Sequence, residues 1–191
     1  MPVVVGRGVG AEVSLLVSQM VGRSIDRLFP QLPEPREAVV LSVEQLSDKA
    51  GRFHDISFSV KAGEVFGIAG IVGAGRTELV QAIAGLSALS NGKVVLGGQR
   101  LPGNNVLAAI RAGVVLIPED RKSEGVVLSQ TIAENLACCN LDSLSSCGVM
   151  ANQRVLAFAR ERIAALGIKG EVGQMLDKLS GGNQQTAVIA K

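Results

Sequence analysis

The chain has 191 residues, 47% of them apolar and 19% charged, a balance that excludes intrinsic disorder over most of its length. Nineteen Lys and Arg against seventeen Asp and Glu leave a formal charge of +2, which argues against a wrapped nucleic acid as partner. Five Phe with no Tyr or Trp leave little material for base-stacking or carbohydrate shelves. The 23 glycines are well above the typical share of about 7%.

Cys138, Cys139 and Cys147 lie close in sequence, and the only histidine, His54, is remote from them. A structural zinc site needs about four N/S ligands, so none is expected here. An odd, clustered count also argues against a secreted disulfide framework and favours reduced thiols in an apolar segment. No run reaches the about 18 apolar residues of a membrane span. The apolar N-terminus is cut by Arg7, Glu12 and Arg23 and lacks a basic start, so it does not read as a signal peptide.

Along the chain, residues 12–22 carry apolar residues at helical spacing. Pro30, Pro33 and Pro35 then forbid a continuous helix, and a linker is expected at about 29–37. From Ala38 the pattern changes. AVVLSVEQL and HDISFSV read as short strands, and EVFGIAG as a compact apolar strand. RTELVQAIAGL reads as a helix closed by Gly85, KVVLGG as a strand, and NNVLAAIRAG as a helix closed by Gly113. VVLIP is a continuous apolar run of the kind buried on both faces of a parallel sheet. Residues 120–178 read as mostly helical, and LSGGNQQTAVIAK opens a last helix. Strands alternating with helices define an α/β architecture.

GIVGAGRT fits G-x-x-x-x-G-[basic]-[ST], with Gly70, Gly75, Arg76 and Thr77 in the register of a P-loop between a strand and a helix. Glycines let backbone N–H groups converge on phosphate oxygens, the helix start adds the positive end of its dipole, and Thr77 offers a hydroxyl to Mg²⁺. The residues assigned to the phosphates are Gly70, Gly73, Ala74, Gly75, Arg76, Thr77 and Glu78. Arg76 stands where a P-loop carries Lys, and a planar fork does not replace a compact ammonium. Glu78 favours the first helical turn but brings negative charge near a triphosphate. The expectation is a nucleotide-binding loop with weakened or lost hydrolysis. A dinucleotide fingerprint fails at this turn, because Glu78 occupies the place of its third glycine.

A second glycine motif, Leu179-Ser180-Gly181-Gly182-Asn183-Gln184-Gln185, precedes the last helix. A hydroxyl and two glycines at a helix N-terminus form either a simple N-cap or a second anion cradle. Taken with the first loop, the motif resembles the signature of the ATP-binding cassette (ABC) family. GIVGAGRTE, IPEDRKSEGVV, IAENL and LSGGNQQ, in that order, resemble the second cassette of the double-cassette ATPase subunits of bacterial monosaccharide importers of the ribose, xylose and galactose type.

The resemblance implies an ABC-type nucleotide-binding domain of P-loop NTPase fold: α/β, a mixed sheet with a helical subdomain at about 120–178, incomplete within residues 38–191. Residues 1–28 resemble the tail of a preceding cassette. It further implies ATP and Mg²⁺ as cofactors, a second cassette stacked head to tail, transmembrane permease subunits as partners, and a place at the cytoplasmic face of the plasma membrane. Ser180, Gly181, Gly182, Asn183 and Gln184 would meet nucleotide held by the other cassette. Glu119 falls where most cassettes place the Q-loop glutamine, and with Thr77 it is the candidate Mg²⁺ contact; no residue is assigned as catalytic base. The adenine-stacking aromatic is not evident, since Ser47 or Asp48 falls near that position and Phe53 is the nearest aromatic. The Walker B strand and switch histidine do not appear before Lys191, so the chain reads as a truncated cassette that does not turn over ATP alone. Two other readings remain open at this level. One is a P-loop NTPase of another family using Asp120 as its Mg²⁺ carboxylate, and the other is a non-catalytic nucleotide-binding or scaffolding module.

Overall fold

The structure is a computed structural model that describes residues 34–191. The helical reading of residues 12–22, the tail assigned to 1–28 and most of the linker lie outside the described residues; 34–38 are irregular. The elements are β1 (Val39–Asp48), β2 (Ile56–Lys61), α1 (Arg76–Ile83), β3 (Leu89–Leu96), β4 (Gln99–Arg100), α2 (Val106–Arg111), α3 (Ile132–Ala137), α4 (Leu141–Leu144), β5 (Ser145–Ser146), β6 (Val149–Met150), α5 (Asn152–Leu166) and α6 (Gly181–Ala190). A π-turn at Arg121–Gly125 and a 3₁₀ turn at Leu176–Lys178 complete the list.

Alternating β-branched and polar residues make β1 to β3 half-buried strands. They form an antiparallel sheet in the order β2-β1-β3-β4, with Val43 opposite Phe58 on one side and Val94 on the other. Val43, Leu46 and Val94 point into a first core that Phe53, Leu79 and Ala82 complete, so α1 packs on the sheet. The last helix forms as expected, and residues 120–178 hold α3, α4 and α5 but also the short β5–β6 hairpin, which the helical reading did not anticipate. Thr131 and Glu134 form a capping box at the start of α3, and Gly167 closes α5 in the left-handed region with φ 66°. A second core, centred on Ile132, Leu136, Ala159, Leu176 and Ala187, unites α3, α5 and α6.

Two expected strands do not form. EVFGIAG and VVLIP carry no regular secondary structure and no ladder partners among the described residues. Both lean on the first core through one side only, by Ile68 and Val114, while Val65 and Val115 stay 73% and 79% exposed. Phe66 stacks on Phe58 of β2 at 4.8 Å between ring centroids, which anchors the first segment without backbone pairing. An apolar run becomes a central strand only when strands flank it on both edges, and the antiparallel sheet ends at β2 and β4 without taking up either run.

A buried amide ties the helical layer to the stretch that leads into it. Asn135 is fully buried; its Oδ1 accepts from the Val127 N–H at 2.8 Å, and its Nδ2 donates to the carbonyls of Val127 and Thr131. Leaving such partners unmet costs ~1–3 kcal/mol each. Replacing Asn135 by Ala should therefore lower unfolding free energy by about 3 kcal/mol. Urea melts check this, and a loss below about 0.5 kcal/mol would show that the amide is dispensable.

Candidate functional site

The glycine loop leaves the core at Ile68 and returns to it at Leu79 of α1. Between them Gly70–Ala74 are exposed, and Gly73 and Gly75 take φ of 83° and 79°. Only glycine adopts that region without strain. Gly75 has a further constraint: a Cβ there would lie 2.5 Å from the Arg52 carbonyl oxygen and 3.4 Å from Phe53. The loop is thus seated on the β1–β2 connection rather than hanging free. Gly75 is also the N-cap of α1 and offers no side chain to its first turn. The leading N–H groups of a helix have no intrahelical partner, so they remain available to an anion.

Arg52, whose carbonyl meets Gly75, is itself held. Its Nε donates to Asp48 Oδ2 at 2.6 Å, and its backbone N–H reaches the same carboxylate. The Arg52 side chain holds the Asp48 carboxyl down to about 2 from its ordinary 3.8. Arg52 is raised in turn, first by that hydrogen bond and lastly by the charge of Glu78. Glu78 therefore acts on Arg52 beneath the loop as well as on whatever the loop holds. Asp48 is buried at the end of β1, Ser47 accepts from the Asp55 N–H through its Oγ, and Phe53 is buried in the first core. None of the three stands free to stack on a base. His54 is exposed and lies in the β1–β2 connection, just ahead of β2.

Beside α1 lies a cleft of about 780 Å³. Arg76, Thr77 and Gln81 line one side, and Ile117, Glu119, Asp120 and Glu124 the other. Two of the candidates for Mg²⁺, Thr77 and Glu119, thus share one hollow although 42 positions separate them in sequence. Among the described residues no three His, Cys, Asp or Glu side chains cluster closely enough to hold a metal ion. The donor set fits Mg²⁺ that arrives on a phosphate, since this ion takes one or two protein oxygens and fills its shell with phosphate and water. Asp120 lines the same cleft and also caps a turn. Its carboxylate accepts from the Lys122 and Ser123 N–H groups and caps the π-turn. Its pKa is lowered, first by the Ser123 side chain and then by those amides.

The second glycine motif is placed on the other core. Ser180 is the N-cap of α6 by position but makes no side-chain cap; its Oγ accepts from Asn183 Nδ2 at 2.9 Å. Asn183 Oδ1 accepts from the Lys169 N–H, which ties this turn to the end of α5. Gln184 is buried and donates to the Leu176 and Leu179 carbonyls, so it fixes the approach to α6 rather than facing outward. Ser180, Gly181 and Gly182 are exposed. They do not line the cleft beside Thr77.

One residue of this region was missed. Arg121 follows Asp120 at the cleft, and its Nε donates to Gln184 Oε1 at 3.4 Å. A Cβ on Gly181 would lie 2.8 Å from the Arg121 guanidinium, so the glycine leaves room for it. Arg121 lies inside IPEDRKSEGVV, but nothing in that string announces a partner in another motif.

A loop seated at the start of α1, a hydroxyl and carboxylate across one cleft, and a second glycine turn on a helical layer define a P-loop nucleotide-binding domain of the α/β class. Residues 53–191 match the family model described as ABC transporter. The chain belongs to the ABC transporter family. It is 44% identical over 177 residues to "Ribose import ATP-binding protein RbsA 1" of Streptomyces avermitilis, a match that covers 92% of this chain and 34% of that protein. It is 42% identical over 182 residues to "Putative ribose/galactose/methyl galactoside import ATP-binding protein 1" of Rhizobium etli, covering 94% and 34%. The chain therefore spans about a third of the length of these relatives. The fold resembles the solved structure of cbiO1 from Clostridium perfringens, described as part of the ABC transporter complex cbiONQ, with a TM-score of 0.56 at 19% identity over 81% of this chain and 61% of that one.

Two predictions follow from the seat of the loop. Gly75→Ala should clash with the Arg52 carbonyl and take on left-handed strain, lowering stability by ~1–3 kcal/mol; an unchanged melting curve would contradict the contact. Folding lowers the Asp48 pKa, so its ion pair contributes fully above about pH 4. That contribution is lost as the pH falls toward about 2. Asp48→Asn should flatten the stability–pH curve in this window, and an equally steep curve in the variant would assign the acid sensitivity elsewhere.

Proposed function

We propose that the chain is part of the ATP-binding subunit of an ABC importer for a monosaccharide and corresponds to the second of two cassettes. The names of the relatives and the order of the four motifs support this reading. Gly70–Thr77 would cradle the β- and γ-phosphates of one nucleotide through the free N–H groups at the start of α1. Thr77 and Glu119, which line the same cleft, would hold Mg²⁺ brought in with the nucleotide, and the ion would draw off negative charge from the phosphates.

The observation that carries the reading is the separation of the two glycine turns. Each crowns its own helix, and each helix packs on a different core. Ser180–Gly182 are exposed and lie outside the Thr77 cleft, so they suit the phosphate of a nucleotide held by another cassette. Arg76 supplies positive charge at the loop but in a fork that cannot retrace the path of a lysine ammonium. In the isolated chain we therefore assign binding without turnover. No helix of the described residues is long and apolar enough to cross a membrane; attachment to the cytoplasmic face would pass through the permease subunits.

Titration of the full chain with Mg²⁺–ATP tests this. Binding should be weak, with phosphate release indistinguishable from buffer. Gly75→Asp should abolish binding, whereas Ser180→Arg should leave it within about twofold, because Ser180 serves a different nucleotide. Robust Mg²⁺-dependent hydrolysis, or loss of binding in Ser180→Arg, would contradict the proposal.

A further inference from the structure

At the outer end of α3 two thiols stand side by side. Cys138 is the C-cap of the helix, with φ −60° and ψ −27°, and Cys139 follows it. Both are exposed and free, and so is Cys147 further along. They leave the apolar surroundings expected of them. Ile132 and Leu136, fully buried, hold the inner side of the same helix in the second core, which turns its end outward. The Cys138 thiol donates to the Asn135 carbonyl at 3.1 Å, and the two sulfurs lie 3.9 Å apart. Asn140 then ties the chain down by donating to the Leu136 and Lys191 carbonyls. The pair is thus presented on a fixed support.

Its chemistry is narrowed by geometry. Adjacent Cα atoms across a trans peptide are about 3.8 Å apart. A disulfide wants about 4.4–6.8 Å between its Cα atoms and an S–S bond of about 2.05 Å. Direct oxidation would therefore distort the helix end. A single larger, thiophilic atom can bridge two sulfurs that already face each other. Burial, first, and the neighbouring Cys138 push the Cys139 thiol up, with Lys191 opposing. The Cys139 thiol is thereby held in its protonated form at neutral pH. We propose that Cys138 and Cys139 form a vicinal dithiol site for trivalent arsenic that carries one other substituent.

The step balances without any oxidant. Each sulfur forms one bond to arsenic, two arsenic–oxygen bonds break, and the two thiol protons leave with the oxygen as water. Arsenic stays trivalent and the sulfurs keep their oxidation state. The third valence is filled by the ligand's own substituent, so two protein sulfurs complete the site. That matches a surface where, among the described residues, no third His, Cys, Asp or Glu joins a cluster. The site lies on the helical layer and is independent of the nucleotide reading.

Phenylarsine oxide with the full chain, followed by native intact-mass measurement, tests it. One phenylarsenic group should bind per chain, survive excess 2-mercaptoethanol, and leave on addition of 2,3-dimercaptopropanol. Cys138→Ser and Cys139→Ser should each lose the mercaptoethanol-resistant adduct, while Cys147→Ser keeps it. Serine retains a donor toward the Asn135 carbonyl, and circular dichroism verifies that each variant is folded. No adduct in the parent chain, a resistant adduct in either single variant, or its loss in Cys147→Ser would overturn the proposal.

Discussion

The structure depends most on one contact, the approach of Gly75 to the carbonyl of Arg52. It fixes where the glycine loop turns into α1, and hence where the unpaired N–H groups of that helix point. Everything around it serves that placement. The Asp48 carboxylate grips Arg52 by side chain and backbone, Phe53 fills the core beneath, and Leu79 carries the helix back onto the sheet. A side chain at position 75 would disturb all of these at once, which is why the loop requires glycine for steric as well as conformational reasons.

The second glycine turn is built differently. Its glycines are exposed, and its rigidity comes from polar side chains: Asn183 bonded to Ser180 and Lys169, and Gln184 bonded to two carbonyls of the preceding turn. Arg121 extends this network toward the cleft where Thr77 and Glu119 meet.

Much of this was legible in the sequence because its signals are local. The loop glycines, the capping residues of α2 and α3, and the glycines after α1, α2 and α5 each act within one helical turn, and the helices begin and end where those residues place them. Thr77 and Glu119 meeting across a cleft was legible only through resemblance, since a separation of 42 positions carries no spacing rule. EVFGIAG and VVLIP misled for the opposite reason. Their composition reports what a fully flanked strand would need, whereas pairing depends on neighbours that a local pattern does not specify. Arg121 was illegible because its meaning lies in the missing Cβ of Gly181, a fact of packing. Gln184 was assigned to nucleotide among its neighbours, yet its amide turns inward, since a buried amide must first satisfy its own hydrogen bonds.

Amide hydrogen exchange with and without Mg²⁺–ATP tests the central claim most directly. The account predicts slowed exchange at Gly73–Glu78 in the isolated chain, with residues 180–184 unchanged until a partner cassette carrying its own nucleotide is added. Protection at 180–184 by nucleotide alone, with Gly73–Glu78 unaffected, would contradict it.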